Sequence, residues 1–231
     1  MIFLEQNIKG LCAKHGIDFY AFMQDFDVDS VSELSIIDLE SIGEEYEIDL
    51  QALIFSPLFE ITYISEKLSK IKLLILDVDG VMTDGGMFYT ENGDQMKKFN
   101  AKDGMGIMHL MKSGVKIGVI SSGFYGETIR KRAQILGIEL CHVGREPKMD
   151  ILNSWCENLG ITLQEVAMIG DDVNDLEVMK NIAFSACPSD AVKEIKSHVD
   201  LILTKKGGEG CVRELIDNYF LVKNEKLKVK S

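Results

Sequence analysis

No apolar run in this 231-residue chain approaches the roughly 20 residues needed to cross a bilayer. A signal peptide is not expected either, because Glu5 and Lys9 interrupt the N-terminal apolar stretch. The five cysteines (Cys12, Cys141, Cys156, Cys187 and Cys211) include no C-x-x-C pair. That scatter argues against a zinc site or a disulfide framework. It suits buried thiols in a reducing cytosol, so a cytoplasmic protein is expected. Positive charge is also in short supply: 25 Lys and Arg face 37 Asp and Glu, for a net charge of −12. A chain this acidic is a poor partner for nucleic acid or an anionic membrane, and neither is expected to bind. The Lys-rich end from Lys223 to Lys230 is short and reads as a solvated terminus.

What the chain has is enough apolar residue, 46%, to bury a core in one large domain or in one domain with an appendage. Its charge is uneven. Residues 1–70 hold fourteen Asp or Glu against four Lys, a net of −10, and the other 161 residues carry −2. Residues 1–60 lack strand patterns and read as a module of short amphipathic helices. Leu4, Ile8, Leu11 and Cys12 fall at helical spacing before a stop at Gly16. Ser35 is placed to cap a helix with Asp38 three residues on, followed by Leu39, Ile42 and Tyr46 on one face. Asp49 is placed to cap another that carries Leu50, Leu53 and Ile54, and Pro57 marks a break. The outline resembles a small helix-turn-helix bundle, but the charge excludes DNA readout and points to packing or assembly.

From residue 62 to the C-terminus, short apolar runs alternate with helical patterns. Strands are expected at 72–76, 116–120, 139–143 and 165–170, and helices at 106–114, 126–137 and 148–160, with weaker repeats beyond. This rhythm means βαβ units and an α/β fold with a doubly wound parallel sheet. One stretch, 86–100, departs from it. Two alternating strands around Glu91-Asn92-Gly93-Asp94 read as a β-hairpin inserted after the first strand.

Doubly wound sheets bind ligands beyond the carboxyl ends of their strands. Here those ends carry Asp77 and Asp79, then Ser121-Ser122-Gly123, then Lys148 opening a helix, then Asp171, Asp172, Asn174 and Asp175. Any one of these could be a helix cap, a turn residue or a solvated lysine. Together, four strand ends converge on carboxylates, a hydroxyl and an amine. Carboxylates cluster where a hard divalent cation compensates them, and such a site suits phosphoryl transfer.

The set D-x-D-G-V-x-T-D-G at 77–85, a serine ending the second strand, a downstream lysine and G-D-D-x-x-D at 170–175 resembles the motifs of the haloacid dehalogenase superfamily over about residues 62–220. D-G-V-M-T-D-G, the immediate hairpin, FNAKDGMGI and KGGEGCVREL are further similar to the cap-less branch that holds the 3-deoxy-D-manno-octulosonate 8-phosphate and nonulosonate 9-phosphate phosphatases. The resemblance implies a Rossmann-like domain of haloacid dehalogenase type and Mg²⁺-dependent hydrolysis of a phosphorylated sugar acid. Asp77 would be the nucleophile and Asp79 the acid and base. Asp77, the Asp79 carbonyl and Asp171 would hold Mg²⁺, with Asp172 and Asp175 behind them. Ser122 and Lys148 would bind the phosphoryl group, and Thr83, Lys102, Asp103, Gly104, Gly123 and Arg132 the rest of the substrate. Asp84 would serve a turn or stand behind the ligands. The branch is similar in forming tetramers, with the segment Gly207–Gly210 as a mobile closure of a neighbouring site or a simple connector. Met108 and Phe124 stand where octulosonate phosphatases carry Arg. That departure weakens the octulosonate 8-phosphate assignment and keeps two alternatives open. One is a nonulosonate 9-phosphate substrate; the other is an assembly protein of surface-sugar biosynthesis with a secondary phosphatase domain. A phosphate-binding transcription regulator is disfavoured by the acidic N-terminal part.

Overall fold

The computed structural model describes residues 3–15, 17–58, 64, 67–92, 95–123 and 126–221. Gly16, Gly93, Asp94, Phe124 and the lysine-rich end lie outside them. The chain forms two compact units, Met1–Lys67 and Leu68–Ser231.

Among the described residues the first unit holds four α-helices, Leu4–His15, Phe19–Asp25, Ile36–Glu45 and Leu50–Phe55. Their starts follow from side chains that satisfy otherwise orphaned N–H groups. Asp18 accepts from the Ala21 N–H at 2.9 Å and Asp49 from the Ala52 N–H at 2.9 Å. Ser35 and Asp38 form a reciprocal capping box. Leu4, Ile8, Leu11, Leu39, Ile42 and Leu53 make the core. Asn7 is buried among them, a polar residue that periodicity does not single out. Its amide donates to the carbonyls of Leu53 at 2.8 Å and Ser56 at 2.6 Å, and its oxygen accepts from the Leu58 N–H at 2.8 Å. One side chain thus ties the first helix to the end of the fourth.

The second unit is built on a six-stranded parallel sheet in the order β5-β4-β1-β6-β7-β8. Its strands are β1 Leu73–Leu76, β4 Lys116–Ser121, β5 Leu140–Val143, β6 Val166–Ile169, β7 Phe184–Cys187 and β8 Leu201–Ile202. The inserted hairpin pairs β2, Phe88–Tyr89, with β3, Gln95–Met96, antiparallel. Leu73 pairs with Lys116 on one side and Val166 on the other, so β1 is central. Every residue of β1 and β6 is buried, as strands covered on both faces require. The helix after the hairpin runs Ala101–Lys112, five residues earlier than its apolar periodicity marks, because Asn100 accepts from the Lys102 N–H at 2.8 Å and caps it there. The sequence order reverses across β1: β4 and β5 lie on one side, β6 to β8 on the other. That reversal opens a crevice at the carboxyl ends of β1, β4 and β6. None of the described helices is long and apolar enough to cross a membrane.

Each unit carries its own apolar core, and the only tryptophan, Trp155, belongs to the second. Truncating the fully buried Ile42 in Ile42→Ala should destabilise the helical unit by about 2–5 kcal/mol. Its denaturant midpoint, followed by far-UV circular dichroism, should fall while the Trp155 fluorescence transition stays in place. Parallel movement of both signals would show one cooperative unit instead.

Candidate active site

β1 delivers Asp77 to the crevice. The strand runs out at Leu76, but the Asp77 N–H still donates to the Ile169 carbonyl at 3.1 Å, so the backbone under this carboxylate is fixed by the ladder. The chain then makes a wide turn over Val78–Met82, with Gly80 at φ +87°. A side chain at 80 is excluded twice. The backbone angle is left-handed, and a Cβ would sit 2.0 Å from Oδ2 of Asp171. The glycine is what lets the β6 end bring Asp171 against the β1 turn.

Lys148 opens the helix Lys148–Leu159 after Pro147 and reaches back into this cluster. Its ammonium donates to Asp77 Oδ1 at 2.6 Å and to Asp175 Oδ1 at 2.5 Å. Lys148 and Asp77 are each 5% exposed and Asp175 is fully buried. The second oxygen of Asp175 accepts the Asp171 N–H at 3.1 Å. Both oxygens of Asp175 are therefore engaged in holding Lys148 and the β6 turn. Asp171 is different, because its Oδ1 is buried with no hydrogen-bond partner.

The electrostatics follow from burial. Desolvation, then the charge of Asp175, pushes Asp77 up to about 7 despite Lys148. Desolvation, then Asp77 and Asp175, pushes Asp171 up to about 8. Burial alone would lower Lys148, but the two carboxylates outweigh it and raise it. Asp77, Asp171 and Asp175 bring carboxylate oxygens within 4.8 Å of one another. Three carboxylates against one ammonium leave two negative charges, the deficit that one divalent cation cancels. An all-oxygen donor set with an orphaned buried carboxylate oxygen fits a hard ion such as Mg²⁺. Asp77 and Asp171 are the carboxylates with oxygens to offer it.

A cavity of about 250 Å³ lies over this cluster. Asp77, Asp79, Ser122, Gly123, Asp171 and Asp172 all line it, as does Asn174, whose amide donates to Ser122 Oγ at 3.4 Å. Lys148 stands beneath, on Asp77. The structure thus brings together the residues taken from the strand ends. Thr83 is buried and serves the turn: its hydroxyl donates to the Val78 carbonyl at 3.2 Å and accepts from the Gly85 N–H at 3.3 Å. Asp84 closes the same loop by accepting from Gly86 N–H at 3.0 Å and from Lys98 at 3.3 Å. Lys102, Asp103, Gly104 and Arg132 are not among the described residues of the cavity wall. Asp103 accepts the Arg213 N–H at 2.7 Å, and Arg132 packs on the Phe99 ring and donates to the Asn100 carbonyl at 3.4 Å. Gly207 and Gly208 pack onto their own chain. The Gly208 N–H donates to the Val81 carbonyl at 2.9 Å, and a Cβ on Gly207 would lie 1.9 Å from the Gly80 carbonyl oxygen. In this chain these glycines serve close approach to the β1 turn.

Two cations in the wall, Lys97 and Arg145, were not singled out by sequence reasoning. Lys97 makes an ion pair with Asp79 Oδ1, and its side chain is 2% exposed. The hairpin's strands, two residues each, are too short for alternation to mark it. Met87 and Tyr89 on one arm of the hairpin, and Gln95 and Lys97 on the other, line the cavity.

Comparison with known proteins agrees with this geometry. Residues 105–182 match the family model for haloacid dehalogenase-like hydrolases. The 3-deoxy-D-manno-octulosonate 8-phosphate phosphatase of Haemophilus influenzae is 38% identical over 152 residues, 66% of this chain and 84% of that protein. The crystal structure of the enzyme of that name from Yersinia pestis superposes with a TM-score of 0.65 at 33% identity, covering 67% of this chain and 83% of the other. The one from Moraxella catarrhalis, solved with magnesium, phosphate and KDO, gives a TM-score of 0.64 at 34% identity, covering 67% and 88%. With the sheet order, the strand-end carboxylates and these relatives in agreement, the chain is a phosphatase and belongs to the haloacid dehalogenase-like hydrolases, with 3-deoxy-D-manno-octulosonate 8-phosphate phosphatases among its relatives.

Proposed function

We propose that this protein hydrolyses the phosphate ester of 3-deoxy-D-manno-octulosonate 8-phosphate or a closely similar phosphorylated keto sugar acid, through an aspartyl-phosphate on Asp77. The carrying observation is Lys148, buried between Asp77 and Asp175 at 2.6 and 2.5 Å under a cavity that Asp79 and Ser122 line. A strand-fixed carboxylate held by an ammonium is a ready nucleophile toward phosphorus, and Lys148 with the Ser122 hydroxyl can carry the charge of the phosphoryl oxygens. An Asp77 oxygen forms the new bond to phosphorus as the bond to the sugar oxygen breaks, and Asp79 gives that oxygen its proton. Asp79 then takes a proton from water, which attacks phosphorus and frees Asp77 and inorganic phosphate. Asp77, the Asp79 carbonyl and Asp171 would hold Mg²⁺, which when bound neutralises the carboxylates and the phosphoryl oxygens. Arg145 in the wall favours an anionic substrate over a neutral sugar phosphate. A second copy of the chain would join in a tetramer, as the branch resemblance implies.

Released phosphate should show kcat/KM highest for the octulosonate 8-phosphate in a panel with nonulosonate 9-phosphates and neutral sugar phosphates. Equal rates across the panel would remove the sugar-acid assignment. Asp77→Asn, nearly isosteric but without an anionic nucleophile, should lose at least about 10³-fold in turnover, in keeping with losses seen when an enzyme nucleophile is removed.

A chelator should abolish turnover and Mg²⁺ restore it. Without metal, Asp171 has a folded-state pKa near 8 against about 4 in an unfolded chain. The folded protein then binds more protons than the unfolded one across that window, so stability falls as pH rises through it. Urea midpoints in chelator should drop from pH 5 to pH 8, and saturating Mg²⁺ should flatten the slope. A rising midpoint in chelator would contradict the burial of an uncompensated Asp171.

A further inference from the structure

The side chain of Lys97 is 2% exposed, and its one described carboxylate partner is Asp79. Burying an ammonium is costly unless a counter-charge holds it, so this lysine is committed to that carboxylate. The hairpin delivers it there. Gln95 and Lys97 share the face that lines the cavity, and the neighbouring Lys98 has a side chain 71% exposed. The Thr83 hydroxyl, which donates to the Val78 carbonyl, also lies 3.4 Å from Asp79 Oδ1. Both contacts fall on Oδ1, which leaves Oδ2 as the oxygen for proton transfer. Asp79 itself sits in a turn with half-open surroundings, its side chain 26% exposed, so nothing else described fixes its rotamer.

We propose that Lys97, delivered by the hairpin, is a positioning residue that clamps Asp79 Oδ1 and thereby presents Oδ2 to the oxygen of the departing alcohol. The inserted hairpin is then part of the acid–base machinery as well as a wall of the cavity. The inference rests on the phosphatase mechanism above, with Asp79 as the proton donor.

The consequence is a dependence on the leaving group. A sugar alkoxide is a poor leaving group and needs its proton as the P–O bond breaks. p-Nitrophenolate departs as a stable anion and does not. The test is kcat/KM for both esters in the wild type, Lys97→Met and Lys97→Arg, because kcat/KM covers only the steps up to departure of the alcohol. Lys97→Met should lose about 30-fold on the sugar-acid phosphate, part of the 10²–10⁴-fold that general acid catalysis contributes, and less than about 3-fold on p-nitrophenyl phosphate. Lys97→Arg, which keeps the charge, should recover most of the loss. Lys97→Met combined with Asp79→Asn should be no slower on the sugar ester than Asp79→Asn alone. The ratio between the two esters does not depend on how much of a variant is folded, so a poorly folding variant still reports. Equal losses on both esters would make Lys97 a structural residue, and full additivity with Asp79→Asn would make it a substrate-binding one; either outcome would overturn the proposal. Absence of phosphate release from either ester by the wild type would instead remove the phosphatase mechanism on which it stands.

Discussion

The ammonium of Lys148 lies between two buried carboxylates, and the site is organised around it. Its two bonds, 2.6 Å to Asp77 and 2.5 Å to Asp175, link a β1 residue and a β6-turn residue to the start of a helix two crossovers away. An ion pair this dry contributes little net stability, since desolvation cancels most of its attraction. Losing one partner, however, leaves a buried charge uncompensated, at about 3–5 kcal/mol. The triad is thus a specificity device: it permits one arrangement of three chain segments. It also splits the carboxylates by role. Asp175 uses both oxygens on Lys148 and the Asp171 N–H, while Asp171 keeps a buried oxygen without a partner. The same acidic residues are structural or chemical according to whether their lone pairs are already taken.

Backbone geometry sets how closely these segments approach. Gly80 lets Asp171 lie against the β1 turn, and Gly207 lets a late loop lie against the Gly80 carbonyl. The turn is therefore squeezed between the β6 end and the segment before Cys211, whose thiol also donates to the Val81 carbonyl at 3.3 Å. A turn enclosed in this way, with Thr83 and Cys211 on its carbonyls, holds the Asp79 backbone and leaves the Asp79 carboxylate to be aimed separately by Lys97.

Much of this was legible because parallel sheets follow strict rules. Once β1, β4 and β6 are recognised from apolar runs, their carboxyl ends must meet, and Asp77, Ser122 and Asp171 meet with them. Lys148 was legible for the same reason, as the first residue of a crossover helix. The hairpin was harder. Its strands are two residues each, and a run so short carries too little alternation to show which face looks inward, so Lys97 read as one of two adjacent lysines. Arg145 was hidden in the connection after β5, where no periodicity operates. Asn7 was hidden by type, since a buried amide looks like any polar residue until its three partners are known. Arg132, Asp103 and Gly104 were placed by likeness alone, and within one chain they cluster with each other and with Arg213 instead of lining the cavity.

Charge distribution links these observations. A protein of net charge −12 acting on a dianionic ester must reverse its own field locally. The acidic excess is concentrated in residues 1–70, and the crevice receives its cations from three separate places: the hairpin through Lys97, the β5 connection through Arg145 and a helix start through Lys148. Each of the two lysines is paired with a carboxylate that has chemical work of its own, Lys148 with Asp77 and Lys97 with Asp79. Pairing aims those carboxylates while the Lys148 ammonium remains within reach of incoming phosphoryl oxygens. A lone buried charge of either sign is costly, so the lysines and the aspartates of the crevice are each built against the other.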